Sequence, residues 1–381
     1  MPSEHARSTR ASSILSILSI LSFSLVPAVP CLAAENNPLP IGAAAPDFNL
    51  PGVDDRNWSL QDFSEAEVLV VIFTCNHCPT AQAYEDRIIK LHDEYKDRRV
   101  AIVTISPNDP QAVRLDELGY SDLGDSLEDM KLRAAQMKFP FPYLYDGDIQ
   151  QVSRAYGALA TPHVFIFDRA RELRYVGAVD DNERAAPKVL YVRDAIEDLL
   201  AGRPVARENT RVFGCSTKWS DKRDSARQSV EKWDKEPVTL SQIDAAGVRK
   251  LIANDSDKYR LINVWATWCV PCVTELPELV TINRMYRRRP FELITISIDS
   301  PAAKDQALKM LREKHVATTN YLFESDDRDA LADALDKQWQ GPVPYTILIA
   351  PGGEVLYRQL NVVEPLELKR AIVERLGRTY K

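Results

Sequence analysis

Residues Trp265–Pro277 read WATWCVPCVTELP, and their reading decides the fold. The run Leu261-Ile262-Asn263-Val264-Trp265 ahead of them has the make-up of a strand, and Leu276, Leu279 and Val280 follow at helical spacing. Cys269 and Cys272 therefore stand at i and i+3 where a strand hands over to a helix. That spacing puts them one turn apart on one side, close enough for a disulfide. At a helix N-terminus, unpaired N–H groups and the positive end of the dipole lower a thiol pKa and stabilise the thiolate, the form that attacks disulfides. The stretch reads as a dithiol/disulfide redox centre. CxxC is also half of a zinc site, but no second CxxC or HxxxH near this pair completes four ligands, and the chain has only five histidines.

WATWCVPCVTELPEL resembles the TlpA/ResA-like branch of the thioredoxin superfamily through Trp268, Cys269, Pro271, Cys272, Glu275 and Pro277. The resemblance implies an exported thiol–disulfide oxidoreductase in which Cys269 is the accessible nucleophile and Cys272 the buried resolving thiol. It casts Glu275 as the carboxylate that assists their proton transfers; the alternative is a solvated first-turn glutamate favoured by the dipole. Pro277 removes a helical hydrogen bond and predicts a kink. Asn263 stands where thioredoxin carries a buried aspartate, so proton transfer here follows another route.

The chain has 381 residues, enough for two ordinary domains, with 45% hydrophobic and 27% charged residues, the balance of a soluble globular protein. A net charge of −7 without a basic stripe argues against a nucleic-acid partner. Of six cysteines, four form two CxxC pairs, which suits redox chemistry better than structural stapling. Residues 1–34 read as a secretory signal, with Arg7 and Arg10 before an apolar, serine-diluted run and Leu32-Ala33-Ala34 as the cleavage site. Export to the periplasm or another extracytoplasmic space is the expectation, with lipidation at Cys31 or an uncleaved N-terminal anchor as alternatives. Pro30 before Cys31 departs from a lipobox.

The first half repeats the pattern. Val68–Phe73 reads as a buried strand leading into Cys75-Asn76-His77-Cys78-Pro79, and Tyr84, Ile88, Leu91 and Tyr95 mark the helix that follows. With FTCNHCPTAQAYEDR, SPNDP, ATPHVFIFD, VDDN and GCSTKW, residues 41–219 resemble a bacterial redoxin family related to the AhpC/TSA group, whose members are thioredoxin-fold and peroxiredoxin-like. Each half also places a proline before a later strand, Pro162 and Pro344, and thioredoxin-like folds put a cis-proline there, facing the cysteines. The expected fold is α/β: two thioredoxin-like domains, each a central mixed sheet flanked by helices, at residues 38–219 and 238–381. Residues 220–237, charge-rich and without a sustained apolar run, read as a mobile linker with one short helix around Ala226, Val230 and Trp233.

Candidate site residues are thus Cys75, His77, Cys78, Pro162 and Cys215 in the first half and Cys269, Cys272, Glu275 and Pro344 in the second. A protonated His77 is expected to favour a Cys75 thiolate, which makes the Cys75–Cys78 pair the more oxidising and draws electrons from Cys269/Cys272. His163 is read as approaching the same site or merely packing. Cys215 is the leftover cysteine, a resolving thiol, a mixed-disulfide handle or an inert residue. Three function classes remain open. The first is an oxidoreductase exchanging with protein thiols and a membrane or periplasmic electron donor, with no cofactor beyond its disulfides. The second is a thiol peroxidase, although the PxxxTxxC frame of peroxiredoxins is absent. The third is a metal carrier using Cys75, His77 and Cys78. The TlpA/ResA-like resemblance implies apocytochrome or copper-protein cysteines as the client class, hence a role in cytochrome c biogenesis.

Overall fold

The computed structural model describes residues 37–380. The signal segment 1–34 and Cys31 lie outside them. In the first half the chain forms β1 (Asn49–Pro51), β2 (Asn57–Ser59), β3 (Val68–Phe73), α1 (Pro79–Tyr95), β4 (Val100–Ser106), α2 (Leu127–Met137) and β5 (Tyr143–Tyr145). It continues through α3 (Gln151–Tyr156), β6 (Ala160–Thr161), β7 (His163–Phe167), β8 (Leu173–Gly177), α4 (Tyr191–Leu200) and β9 (Cys215–Ser216). After α5 (Arg223–Asp234) come β10 (Ser241–Ile243), α6 (Ala245–Ala253), β11 (Tyr259–Trp265), α7 (Val270–Tyr286) and β12 (Phe291–Ser297). The chain ends with α8 (Lys304–Glu313), β13 (Thr319–Phe323), α9 (Arg328–Leu335), β14 (Tyr345–Ile349), β15 (Val355–Leu360) and α10 (Pro365–Leu376).

Each half is the mixed sheet between helices that the sequence led us to expect. The first sheet runs β5-β4-β3-β7-β8, with β3, β4 and β5 parallel and β7 antiparallel to β3. The second runs β10-β13-β12-β11-β14-β15, with β14 antiparallel to β11. Central strands are buried on both faces, which is why their residues are apolar at consecutive positions. Val68, Val70 and Ile72 pack with Tyr84 and Ile88 of α1, while Leu69, Val71 and Phe73 pack on the other face with Tyr156 of α3. In the second half Leu261, Leu279, Ile282 and Ile372 form one layer, and Ile262, Val264, Leu276 and Ile296 the other. Both Thr161–Pro162 and Val343–Pro344 are cis peptides. Helix α7 continues through Pro277.

The short helix expected within 220–237 is present, but the mobility expected of that segment is corrected, because the helix is docked. Most of that segment is α5, whose Ala226 and Trp233 are buried. Trp233 lies under the guanidinium groups of Arg284 and Arg287, and Asp234 accepts from Arg284 at 2.7 Å. Its charged residues solvate one face only; two apolar residues suffice to dock the other. The two sheets belong to one compact body, held by Tyr286 donating to Ser121 O (3.0 Å), Arg289 to Gly119 O (2.7 Å) and Arg370 and Arg378 to buried Asp122 (3.2 and 2.6 Å). Among the described residues no helix is long and apolar enough to cross a membrane.

Candidate active site

Sheet register aligns the two halves residue by residue. Phe73 pairs with His163 and Val264 with Tyr345, and in each case the partner directly follows the cis-proline. Five residues beyond those positions stand Cys78 and Cys269, and each is the N-cap of its helix. The two CxxC motifs are therefore three residues out of register. Cys75 corresponds to Ala266, and the place of Cys272 is taken by Ala81. Ala81 N–H donates to Cys78 Sγ (3.5 Å), as Cys272 N–H donates to Cys269 Sγ (3.3 Å).

In the second half Cys269 and Cys272 form a disulfide with Cα atoms 5.3 Å apart. Cys269 Sγ lies 3.6 Å from the carbonyl oxygen of Val343, ahead of Pro344. Cys272 is wholly enclosed, Cys269 is 5% exposed, and Trp268 and Val270 flank it as an open apolar rim. Glu275 is buried, which overturns the alternative of a solvated first-turn glutamate. It accepts from Asn263 Nδ2 (2.8 Å) and Val363 N–H (3.0 Å), while burial pushes its pKa up. Asn263 also donates to Thr346 Oγ1 at 3.0 Å, so the position held by aspartate in thioredoxin serves here to orient a glutamate.

In the first half three thiols converge. Cys78 Sγ accepts from Cys215 N–H at 3.4 Å, and Cys75 Sγ lies 3.1 Å from Thr161 Oγ1. Cys215 is delivered by β9, which pairs with β6 so that Thr161 faces Cys215. Gly214 makes this possible: its φ is +141°, and a Cβ there would sit 2.2 Å from Thr161 O. Burial opposes ionisation of Cys78, and its Sγ lies 3.2 Å from Thr161 O, an acceptor suited to the thiol. Hydrogen bonds from the Cys215 and Cys75 thiols, the His77 charge and the Ala81 N–H outweigh both and hold the Cys78 pKa well below the usual thiol range. Burial, the bond to Cys78 and the Asp125 charge push Cys75 well up, and the bond to Cys78 followed by burial does the same to Cys215. The expected Cys75 thiolate is thus corrected to Cys78, because Cys78 and not Cys75 sits at the helix N-terminus.

His77 is buried and its Nδ1 meets Asp125 Oδ2 at 2.5 Å. Burial disfavours the imidazolium, but Asp125 more than offsets it and raises the pKa; the imidazolium in turn depresses Asp125. Asp125 also accepts from Asn76 N–H (3.0 Å) and Asn108 Nδ2 (2.8 Å), and Asn108 Oδ1 accepts from Lys218 N–H (2.8 Å). Cys75, His77 and Asp125 bring one ligand atom each within 4.8 Å, so the metal-capable trio includes Asp125 instead of Cys78. His163 is buried against Phe165, accepts from Leu159 N–H at 3.3 Å and is held neutral, its pKa lowered to about 3 by burial. It packs, as one of its two readings had it. Asp125, Asn108 and Thr161 escaped the sequence reading. Asn108 and Thr161 lay within SPNDP and ATPHVFIFD, whereas Asp125 sits in a polar loop that carries no periodic signal.

Residues 41–176 match the AhpC/TSA family and residues 234–374 the Redoxin family. The chain is a two-domain member of the thioredoxin superfamily. Thiol-disulfide oxidoreductase ResA of Oceanobacillus iheyensis is 26% identical over 129 residues, covering 34% of this chain and 57% of that one. ResA of Geobacillus kaustophilus is 25% identical over 112 residues, covering 29% and 60%. The chain thus spans under two thirds of the length of these curated relatives. An uncharacterized conserved protein from Geobacillus kaustophilus, of known structure, is 36% identical and covers 48% of this thioredoxin-superfamily chain and 94% of its own, with a TM-score of 0.44. A hypothetical protein from Sinorhizobium meliloti is 32% identical, covering 48% and 97%, with a TM-score of 0.43.

Proposed function

We propose that the protein is an exported thiol–disulfide oxidoreductase acting on protein thiols through Cys269–Cys272, with Cys75, Cys78 and Cys215 as a second redox centre. The observation that carries the reading is the placement of Cys269: N-cap of α7, sulfur facing the residue before Pro344, apolar rim outside and raised-pKa Glu275 within. In the reduced protein the Cys269 thiolate attacks a client disulfide, forming a mixed disulfide and releasing one client thiolate. Cys272 then gives up its proton, for which Glu275 is the proposed acceptor, and attacks Cys269 Sγ to free the second client thiolate. Export rests on the 1–34 pattern, and a membrane or periplasmic dithiol donor is the proposed source of electrons; apocytochrome or copper-protein cysteines are the proposed clients. Cys272→Ser is expected to hold clients as mixed disulfides on Cys269, identifiable by mass. A variant that traps nothing while Cys269 remains alkylatable would sink this reading.

A thiol peroxidase reading is favoured at the first centre by one observation: a single stabilised thiolate at a helix N-terminus with Ala81, not cysteine, one turn on. Peroxide consumption by a Cys269→Ser/Cys272→Ser protein would support it.

A further inference from the structure

In the first centre Cys78 is wholly enclosed and Cys75 nearly so, which leaves Cys215 as its most exposed thiol. Cys215 is half-buried and opens on a cavity of about 310 Å3 built from both folds. We propose that this cavity binds a carboxylate-bearing low-molecular-mass thiol or its disulfide, which exchanges with Cys215. The proposal rests on the dithiol reading above and assigns the first centre a substrate class of its own.

The walls carry four cationic side chains, Arg114, Lys218, Arg288 and Arg289, against two carboxylates, Asp116 and Glu117. Arg114 and Arg288 share Asp116 (3.0 and 2.6 Å), and Lys218 pairs with Glu117 at 2.7 Å. Arg289 donates to the main-chain carbonyls of Gly119 and Gly377 and lies 3.8 Å over the Tyr120 ring, contacts that leave its charge uncancelled. His77 supplies an independent pointer. His77 is among the residues that line the cavity and is 1% exposed; Asp125 takes its Nδ1, and its buried Nε2 has no partner. A buried imidazolium N–H without an acceptor is costly, and a carboxylate in the cavity supplies one. The volume suits a small peptide-sized molecule.

The chemistry balances. Cys215 passes its proton to the Cys78 thiolate it is bonded to and attacks the small disulfide RSSR, forming Cys215–S–S–R and releasing RS⁻. That RS⁻ takes the proton back from Cys78. The Cys78 thiolate then attacks Cys215 Sγ, forming the Cys78–Cys215 disulfide and expelling the second RS⁻. One disulfide is reduced, two protein sulfurs are oxidised, and one proton leaves with product. In reverse, Cys78 is the favoured leaving group because its thiolate is the stabilised one.

The test uses the reduced full-length protein with three disulfide probes of opposed charge: anionic glutathione disulfide, neutral hydroxyethyl disulfide and cationic cystamine. Rates are normalised to a free cysteine peptide and adducts located by peptide mass. The expected result is first modification at Cys215, with glutathione disulfide favoured over cystamine by about tenfold at low salt and the preference shrinking as salt rises. Arg288→Gln, a change at an exposed side chain, should cut that preference severalfold. Equal normalised rates, or adducts on Cys75 in place of Cys215, overturn the proposal. Exchange of Cys269 with a protein disulfide is measured in the same sample. Its loss would defeat the general reading, whereas its survival beside a Cys215 without charge preference defeats only this one.

Discussion

Cys78 gathers four donors, the Cys215 and Cys75 thiols and the Cys215 and Ala81 N–H groups, and an imidazolium charge, so its thiolate should be visible well below the range of ordinary thiols. Ultraviolet absorbance of the reduced protein is expected to show one low-pKa thiolate in the first centre, absent in Cys78→Ser and shifted upward in Cys75→Ser, which removes a donor. Asp125→Asn, which weakens the His77 charge, should raise that pKa; an unchanged titration would remove His77 from the site's electrostatics. The sign for stability follows. The lowered Cys78 pKa contributes stability above the usual thiol pKa, and that contribution fades as pH falls through the folded value. The Asp125–His77 pair behaves as a window: intact between Asp125's lowered pKa and His77's raised one, and lost on either side.

At the scale of elements, α5 decides whether the two halves are beads on a string. With Trp233 buried and Asp234 paired to Arg284, proteases are expected to spare 223–234 in the native protein. Trp233→Ala should cost about 3–5 kcal/mol by removing a large buried side chain, and should expose the helix to cleavage. Rapid cutting within α5 of the wild type would restore the mobile-linker picture. The short helix around Ala226, Val230 and Trp233 was legible; charge-rich composition hid only its docking, because a helix needs no more than a narrow apolar stripe to dock.

For the whole molecule, the two centres lie at opposite ends of α7. Cys269 caps its first turn, while the cavity beside Cys215 touches Arg288 and Arg289 just past its last. Seventeen helical residues span roughly 25 Å, too far for sulfur to meet sulfur while the folds stay docked. A stabilised Cys78 thiolate still favours the reduced first centre, so the expected direction of electron flow retains its physical basis. The route changes. Equilibration between a reduced second centre and an oxidised first centre should accelerate in proportion to protein concentration, the mark of exchange between molecules. Asp122→Ala, which removes the buried carboxylate shared by the partly exposed Arg370 and Arg378, would add a concentration-independent phase by loosening the interface. Such a phase already dominant in the wild type would contradict the docked arrangement.

Local sequence specified the strands, the helix after each CxxC and the two prolines, and it named most of the side chains gathered at the two candidate centres. These are local matters: apolar runs, 3.6-residue periodicity and i,i+3 spacing depend only on neighbours in the chain. It did not determine which cysteine of the first pair caps the helix. CNHC and CVPC look alike as strings, and only the pairing of Phe73 with His163, set against Val264 with Tyr345, shows the offset of three residues. Nor could it find Asp125 behind His77, 48 residues away, or bring Cys215 to Cys78 across 137. Burial, pKa and reach are properties of what the folded chain packs around an atom, and for Cys78, His77 and Cys215 tertiary structure alone supplies those neighbours.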